Sequence, residues 1–181
     1  GGQDSAWRRE VIRRAAVQPG DRVLDLGAGT GDLAREALRQ QPACRLVAAD
    51  FTLAMMLQGA RRPGARLDWL AADALHLPFA DEEFNVLVSG YLLRNVVDLP
   101  AALMEMRRVL KPSGRWVSLD TTRPPRGLLS PLISFYMHTV IPALGALLTG
   151  QKDAYTYLPD STEAFLTAEA VAEHLARAGF Q

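Results

Sequence analysis

The chain has 181 residues, 49% hydrophobic and 22% charged, which is long enough to bury a core and too apolar to stay disordered. Its 20 basic residues, all arginine except Lys111 and Lys152, balance 20 acidic ones, so a net charge of zero gives no electrostatic basis for a nucleic-acid partner. The single cysteine, Cys44, excludes an internal disulfide framework, and no cationic stretch leads into an apolar run at the start, so a cytoplasmic protein is expected.

Up to residue 120, short apolar runs alternate with stretches of helical spacing. The first run, 22–26 (RVLDL), reads as a buried strand. Residues 32–41 follow, with Leu33, Ala34, Ala37 and Leu38 on one helical face. A second strand over 45–49 (RLVAA) leads to a helix beginning near Leu53, and a third strand covers 67–71 (LDWLA). The fourth strand is 84–89 (FNVLVS). A helix over 99–110 then aligns Leu103, Met106, Val109 and Leu110, and Pro112 with Gly114 closes it ahead of a fifth strand, 115–119 (RWVSL). This alternation predicts right-handed crossovers, hence an α/β protein with a doubly wound, mainly parallel sheet.

After Asp120 the rhythm changes. Residues 121–127 (TTRPPRG) form a loop, and 127–150 contain no formally charged residue. Pro131, Pro142, Gly145 and His138 interrupt that segment, which makes it a poor membrane span and a better buried or lipid-facing helical one. We read the whole chain as one domain, with 121–166 as a helical segment inserted on the substrate side. Thr167 then caps a last helix whose Ala170, Val171, His174, Leu175 and Ala178 share a face, with Gly179 at its stop.

The densest chemistry lies in 23–32, VLDLGAGTGD, where a strand ends, glycines turn the chain and a helix begins. Gly27, Gly29 and Gly31 let a ligand approach the backbone. Their G-x-G-x-G spacing differs from the G-x-G-x-x-G of dinucleotide sites, and Asp32 would oppose a pyrophosphate, which counts against a nicotinamide cofactor. Acids stand at the ends of three successive strands: Asp25, Asp50 and Asp73. In a doubly wound sheet, ligands bind beyond those carboxyl ends. A glycine loop with three carboxylates suits a cationic nucleoside without phosphates, S-adenosyl-L-methionine. Asp25 would meet its ammonium group, Asp50 its ribose and Asp73 the adenine amine. The plainer alternatives are that Asp50 caps the helix near Leu53 and that Asp73 is a turn residue.

VLDLGAGTGD, the acid at Asp50, ADALHLPF before DEEFNVLV, and EMRRVLKPSGR together resemble class I S-adenosylmethionine-dependent methyltransferases. Within them, LLRNVVD at 92–98 and the stretch 135–165 are similar to the ubiquinone/menaquinone biosynthesis C-methyltransferases. The resemblance implies a Rossmann-like fold that moves a methyl group to a ring carbon of a demethylated, lipophilic quinol, naphthoquinol or benzoquinol. It puts cofactor contacts on Thr30, Asp50, Asp73 and Ala74 beside the loop glycines, with Phe51 and Gly90 at strand ends. The sequence departs from the family at Leu92 and at DTTRP, 120–124, both on the substrate side. It shows five of the family's seven strands, without the C-terminal hairpin, and little of the family's N-terminal helical segment precedes Ser5. A trimmed member or a fragment is therefore expected, or a homo-oligomer that covers the fifth strand's edge.

Carbon methylation needs a phenolate-like nucleophile, and hence a base or a cation near the cofactor. Arg94, just past the fourth strand, would stabilise the phenolate and Asn95 would fix an oxygen; alternatively Arg94 pairs with Asp98, four residues on. His138 is a candidate base or a core residue. Tyr136, Tyr155 and Tyr157 would line a quinol pocket or pack in the core. His76 and His174 lack companions at metal-ligand spacing, so no metal is expected. The uncharged segment would cover the quinol tail or touch a bilayer surface, or simply pack on the sheet. Two alternatives stand beside quinol methylation: a methyltransferase of the same fold with another small substrate, and a catalytically silent S-adenosylmethionine-binding module.

Overall fold

The computed structural model describes residues 2–122 and 165–181. Five strands, β1 (Arg22–Leu26), β2 (Arg45–Asp50), β3 (Asp68–Ala71), β4 (Phe84–Gly90) and β5 (Leu110–Leu119), form one sheet in the order β3-β2-β1-β4-β5. Every pairing is parallel, as the strand–helix alternation predicts. The described helices are α1 (Gly2–Ala15), α2 (Asp32–Gln40), α3 (Leu53–Ala60), α4 (Leu99–Val109) and α5 (Ala168–Arg177).

The sheet is apolar because crossover helices cover its faces. Val23, Leu24, Val86, Leu87 and Val88 are fully buried in the central strands β1 and β4. From the helices, α2 buries Leu33, Ala34 and Ala37, and α4 buries Leu99, Ala102, Leu103, Met106 and Val109. Chain order reverses between β1 and β4, so the crevice beyond their carboxyl ends is the topological switch point where ligands bind in such sheets.

Two elements differ from expectation. The first is α1, which the sequence reading did not predict. It sinks Val11, Ile12 and Ala15 into the core shared with Val23, Ala34 and Val86, while Glu10, Arg13 and Arg14 pair on its exposed side. Its apolar positions are spaced for a helix but diluted among charges, which is why the pattern was missed. Arg115 of β5 donates to the carbonyls of Ala15 and Ala16, both at 3.0 Å, meeting the negative end of that helix.

The second is β5, which starts at Leu110 rather than at 115. Leu110 is extended and buried and pairs with Phe84, while Arg115 pairs with Val86. The intervening residues are bulged out of register, so Pro112 and Gly114 bend the strand instead of separating it from α4.

Residues Gly1–Asp120 with Leu175–Gln181 form one compact unit, and Thr121–His174 another. The Thr167 hydroxyl accepts the Ala170 N–H at 3.4 Å at the start of α5, and Gly179 closes its far end at φ +85°. Phe180 packs its ring on Trp116 with centroids 5.1 Å apart. The uncharged segment 127–150 and the candidates Tyr136, His138, Tyr155 and Tyr157 lie outside the described residues. Among the described residues, no helix is long and apolar enough to cross a membrane, and β5 has β4 as its one strand neighbour.

Candidate functional site

The glycine loop leaves β1 at Leu26 and is laid against the end of β2. Gly27 and Ala28 donate to the Ala49 carbonyl at 2.9 and 3.0 Å, and Gly29 donates to Asp50 Oδ2 at 2.7 Å. The other oxygen of Asp50 accepts the Thr52 N–H at 2.7 Å. One carboxylate therefore joins the loop to the β2–α3 turn and keeps acceptor capacity on both oxygens. The helix-cap alternative for Asp50 does not hold: α3 begins at Leu53 with Thr52 at its cap position, and Asp50 serves the turn before it.

Gly31 ends the loop at φ +80°, where a Cβ would lie 2.5 Å from Leu67 and 2.8 Å from the Trp69 ring. Glycine is required there by both backbone sterics and space. A Cβ at Gly27, at φ +71°, would come within 3.0 Å of the Leu92 side chain, so the residue that departs from the family pattern packs on the cofactor loop.

Asp25 is not at the loop's rim. It is fully buried, its Oδ2 accepting the Ala34 N–H of α2 at 2.9 Å while Oδ1 has no partner among the described residues. Burial pushes its carboxyl up to about 7, the Ala34 N–H opposes this, and the nearby charges of Asp50 and Asp32 add to it. Of the carboxylate expected to meet a ligand's ammonium, Oδ2 supports the first turn of α2, while Oδ1 keeps its acceptor capacity.

Asp73, half-buried, accepts the Leu75 N–H at 2.9 Å, and the His76 N–H closes the turn on its carbonyl. It is a turn residue at the end of β3, followed by buried Ala74. Phe51 is 78% exposed beside Asp50, and Gly90 closes β4 against Leu33. Thr30 holds its hydroxyl between Asp32 at 3.3 Å and Arg62 at 2.9 Å.

Two arginines that join the loop to α3 were not found in the sequence, and neither was a third, Arg8, beside them. Arg35 donates to the Thr30 carbonyl at 2.7 Å and to the Gly59 carbonyl at 2.6 Å, tying the loop to α3. Arg62 pairs with Asp32 at 2.7 Å, and Arg8 of α1 approaches the same carboxylate at 3.4 Å. Asp32, read from sequence as a bare charge against pyrophosphate, is thus flanked by two guanidiniums. Nothing in a scatter of arginines marks these two before the loop and α3 are brought together.

Beyond β4, Tyr91 takes φ +57°, and Leu93–Asn95 form a single helical turn. The Tyr91 N–H donates to Leu119 at 2.7 Å, Asn95 Nδ2 donates to the Tyr91 carbonyl at 2.6 Å, and the Leu93 N–H donates to Asp120 at 2.9 Å. Arg94 stacks 4.9 Å above the Tyr91 ring and stands 3.9 Å from the Asp120 carboxylate. Its carboxylate is Asp120, not Asp98: Asp98 caps α4 by accepting the Ala101 N–H at 3.0 Å, and so faces that helix's own amides. Asn95, expected to fix a ligand oxygen, donates one of its two amide N–H groups to the Tyr91 carbonyl.

A parallel sheet ordered β3-β2-β1-β4-β5, with a glycine loop at the switch point and an acid at the end of β2, defines a doubly wound nucleoside-binding domain of the class I methyltransferase type. The chain belongs to the ubiE/COQ5 methyltransferase family, which it matches over residues 2–181. It is 43% identical to the ubiquinone/menaquinone biosynthesis C-methyltransferase UbiE of Desulfotalea psychrophila, over 99% of this chain and 73% of that one. It is 41% identical to the demethylmenaquinone methyltransferase of Thermus thermophilus, over 99% and 83%. In fold it is similar to Haemonchus contortus phosphoethanolamine N-methyltransferase 2, solved in complex with S-adenosyl-L-methionine. There the TM-score is 0.71 at 17% identity, over 96% of this chain and 36% of that one.

Proposed function

We propose that this methyltransferase moves the methyl group of S-adenosylmethionine to a ring carbon of a demethylated quinol, demethylmenaquinol or a ubiquinol precursor. The observation that carries the cofactor is the Asp50 carboxylate bonded to Gly29 of the loop, a preformed acceptor for ribose hydroxyls beside a glycine-rich backbone. The identity of 43% and 41% to enzymes named for quinone C-methylation supports the substrate class.

The residues present fit the cofactor. Asp50 would hold the ribose, with Phe51, Asp73 and Ala74 at the adenine and Gly27, Gly29, Thr30, Gly31 and Gly90 lining the rest. Asp25 would act through α2 and the loop it supports. When bound, the cofactor supplies an electrophilic methyl group for in-line displacement, so orientation provides much of the rate. The chain's own task is to make the ring carbon nucleophilic. A base takes the proton from the adjacent hydroxyl, the Arg94 guanidinium stabilises the phenolate charge that spreads to the reacting carbon, and loss of the ring proton from the methylated carbon restores the aromatic quinol. Asn95 keeps the segment carrying Arg94 in place through the Tyr91 carbonyl. His138 is proposed as the base because an imidazole side chain suits proton transfer at neutral pH, with Tyr136, Tyr155 and Tyr157 around the quinol.

We also propose that 121–166 serves the substrate side and that its uncharged stretch meets the quinol tail at the inner face of the membrane. A homo-oligomer covering the outer edge of β5 belongs to the same proposal. Flotation of the protein with liposomes checks the membrane contact, and its absence would remove that part.

The deciding experiment is transfer from labelled S-adenosylmethionine to demethylmenaquinol and to a demethylated benzoquinol, read by mass spectrometry, beside calorimetry with the cofactor and with NAD. Methylated quinol is the expected product. Cofactor binding with neither quinol methylated would redirect the assignment to another small substrate or a silent module. NAD binding alone would sink the cofactor assignment.

A further inference from the structure

Tyr91 occupies the left-handed region at φ +57°, which a bulky aromatic residue adopts only when its surroundings enforce it. Here they do. Its N–H is held by the Leu119 carbonyl at 2.7 Å, and its carbonyl by Asn95 at 2.6 Å. The neighbouring Gly90 would tolerate the same turn without cost, so the turn alone does not explain an aromatic at 91. The strained backbone delivers the ring to Arg94, whose guanidinium lies 4.9 Å from the ring centroid. Beside the same guanidinium is Asp120, at the end of β5, which also accepts the Leu93 N–H at 2.9 Å. Arg94 and Asp120 side chains are each only 6% exposed. Their 3.9 Å separation exceeds a hydrogen bond, so the carboxylate balances the charge while the ring face supports the guanidinium.

We propose that Tyr91 and Asp120 are positioning residues for Arg94, the ring face and the carboxylate together fixing its guanidinium at the carboxyl edge of β4. This rests on the reading of Arg94 as the phenolate-stabilising cation. Tyr91 acts through its π face, not its hydroxyl, and the two residues come from the ends of adjacent strands that only the sheet brings together. A cation on an aromatic face is held most strongly where water is excluded, which the burial of the Arg94 side chain favours.

The test uses the full chain with Tyr91→Phe, Tyr91→Leu and Asp120→Asn, measuring demethylmenaquinol turnover, S-adenosylmethionine affinity and melting temperature. Tyr91→Phe keeps the ring face and should stay within about twofold of wild type in kcat, whereas Tyr91→Leu and Asp120→Asn should lose about tenfold or more, with cofactor Kd within about twofold. Equal losses in Tyr91→Phe and Tyr91→Leu would overturn the ring-face role. Parallel losses of kcat and cofactor affinity in Tyr91→Leu would show a merely structural residue and overturn it as well.

A second readout needs no substrate. Phenylglyoxal labelling of Arg94, followed by peptide mass spectrometry, should run about tenfold faster in Tyr91→Leu and Asp120→Asn than in wild type or Tyr91→Phe. If wild type methylates no quinol, the substrate reading fails on its own. Unchanged Arg94 labelling in both variants then overturns the positioning inference separately.

Discussion

The carboxylate of Asp50, at the last position of β2, accepts the backbone N–H of Gly29 at 2.7 Å. That bond fixes the cofactor loop to the strand beside it before any ligand arrives. Asp50→Ala leaves the N–H groups of Gly29 and Thr52 without their acceptor, and a hydrogen bond to a charged group contributes about 1.5–3 kcal/mol. The expected result in calorimetry is S-adenosylmethionine affinity lowered by at least about tenfold. Unchanged affinity would dismiss Asp50 as a cofactor residue.

Asp25 should make stability depend on pH. Its carboxyl is raised from 3.8 to about 7 in the folded chain, so the folded state holds a proton that the unfolded state has lost. The stability this provides is complete below about 3.8 and is lost as pH rises through about 7. Asp25→Asn keeps an acceptor for the Ala34 N–H and removes the titration. Urea denaturation should show the variant gaining on wild type between pH 5 and pH 8, by a few kcal/mol at most. A difference that stays constant with pH would refute the buried-acid assignment.

Gly31 and Gly20 offer a controlled comparison. Both have strongly positive φ, +80° and +83°, but a Cβ at Gly20 meets nothing within 4 Å. Gly20→Ala should cost only the backbone penalty of about 1–2 kcal/mol. Gly31→Ala adds the collision with Leu67 and Trp69, for a total of about 2–5 kcal/mol, and weakens cofactor binding. Equal melting temperatures for the two variants would show that the loop yields freely.

Arg35 and Arg39 lie one turn apart on α2 and should behave differently. Arg39 is 62% exposed and pairs with Glu36, an arrangement contributing about 0.5 kcal/mol or less. Arg35 is partly buried and bonds the Thr30 and Gly59 carbonyls, so Arg35→Ala should destabilise by about 2 kcal/mol and loosen the loop. Chemical denaturation of the two variants measures this, and matching midpoints would contradict it.

The first four strands, the helix behind the glycine loop and the acids at the strand ends were legible because each is written in local spacing. An apolar run of five residues followed by alternating glycines has one economical reading. The start of β5 was not legible, because Pro112 and Gly114 look like a stop until Leu110 is seen paired with Phe84 across a bulge. Likewise α1 carries too many charges for its apolar face to stand out until Val11, Ile12 and Ala15 meet β1 and β4.

In the site, the sequence by itself determined the chemistry on offer: a glycine-rich loop, an acid for a ribose, an arginine beyond β4. Tertiary structure alone decided the partners. Asp25 went beneath the loop rather than to its rim, Arg35 and Arg62 were drawn to the loop from a dispersed set, and Arg94 was given Asp120 and the Tyr91 face in place of Asp98. The reason is range. Spacing within a strand or helix records neighbours a few residues apart, whereas Arg94 and Asp120 are joined by the parallel pairing of β4 with β5, a contact made across the sheet and set by burial of the whole core.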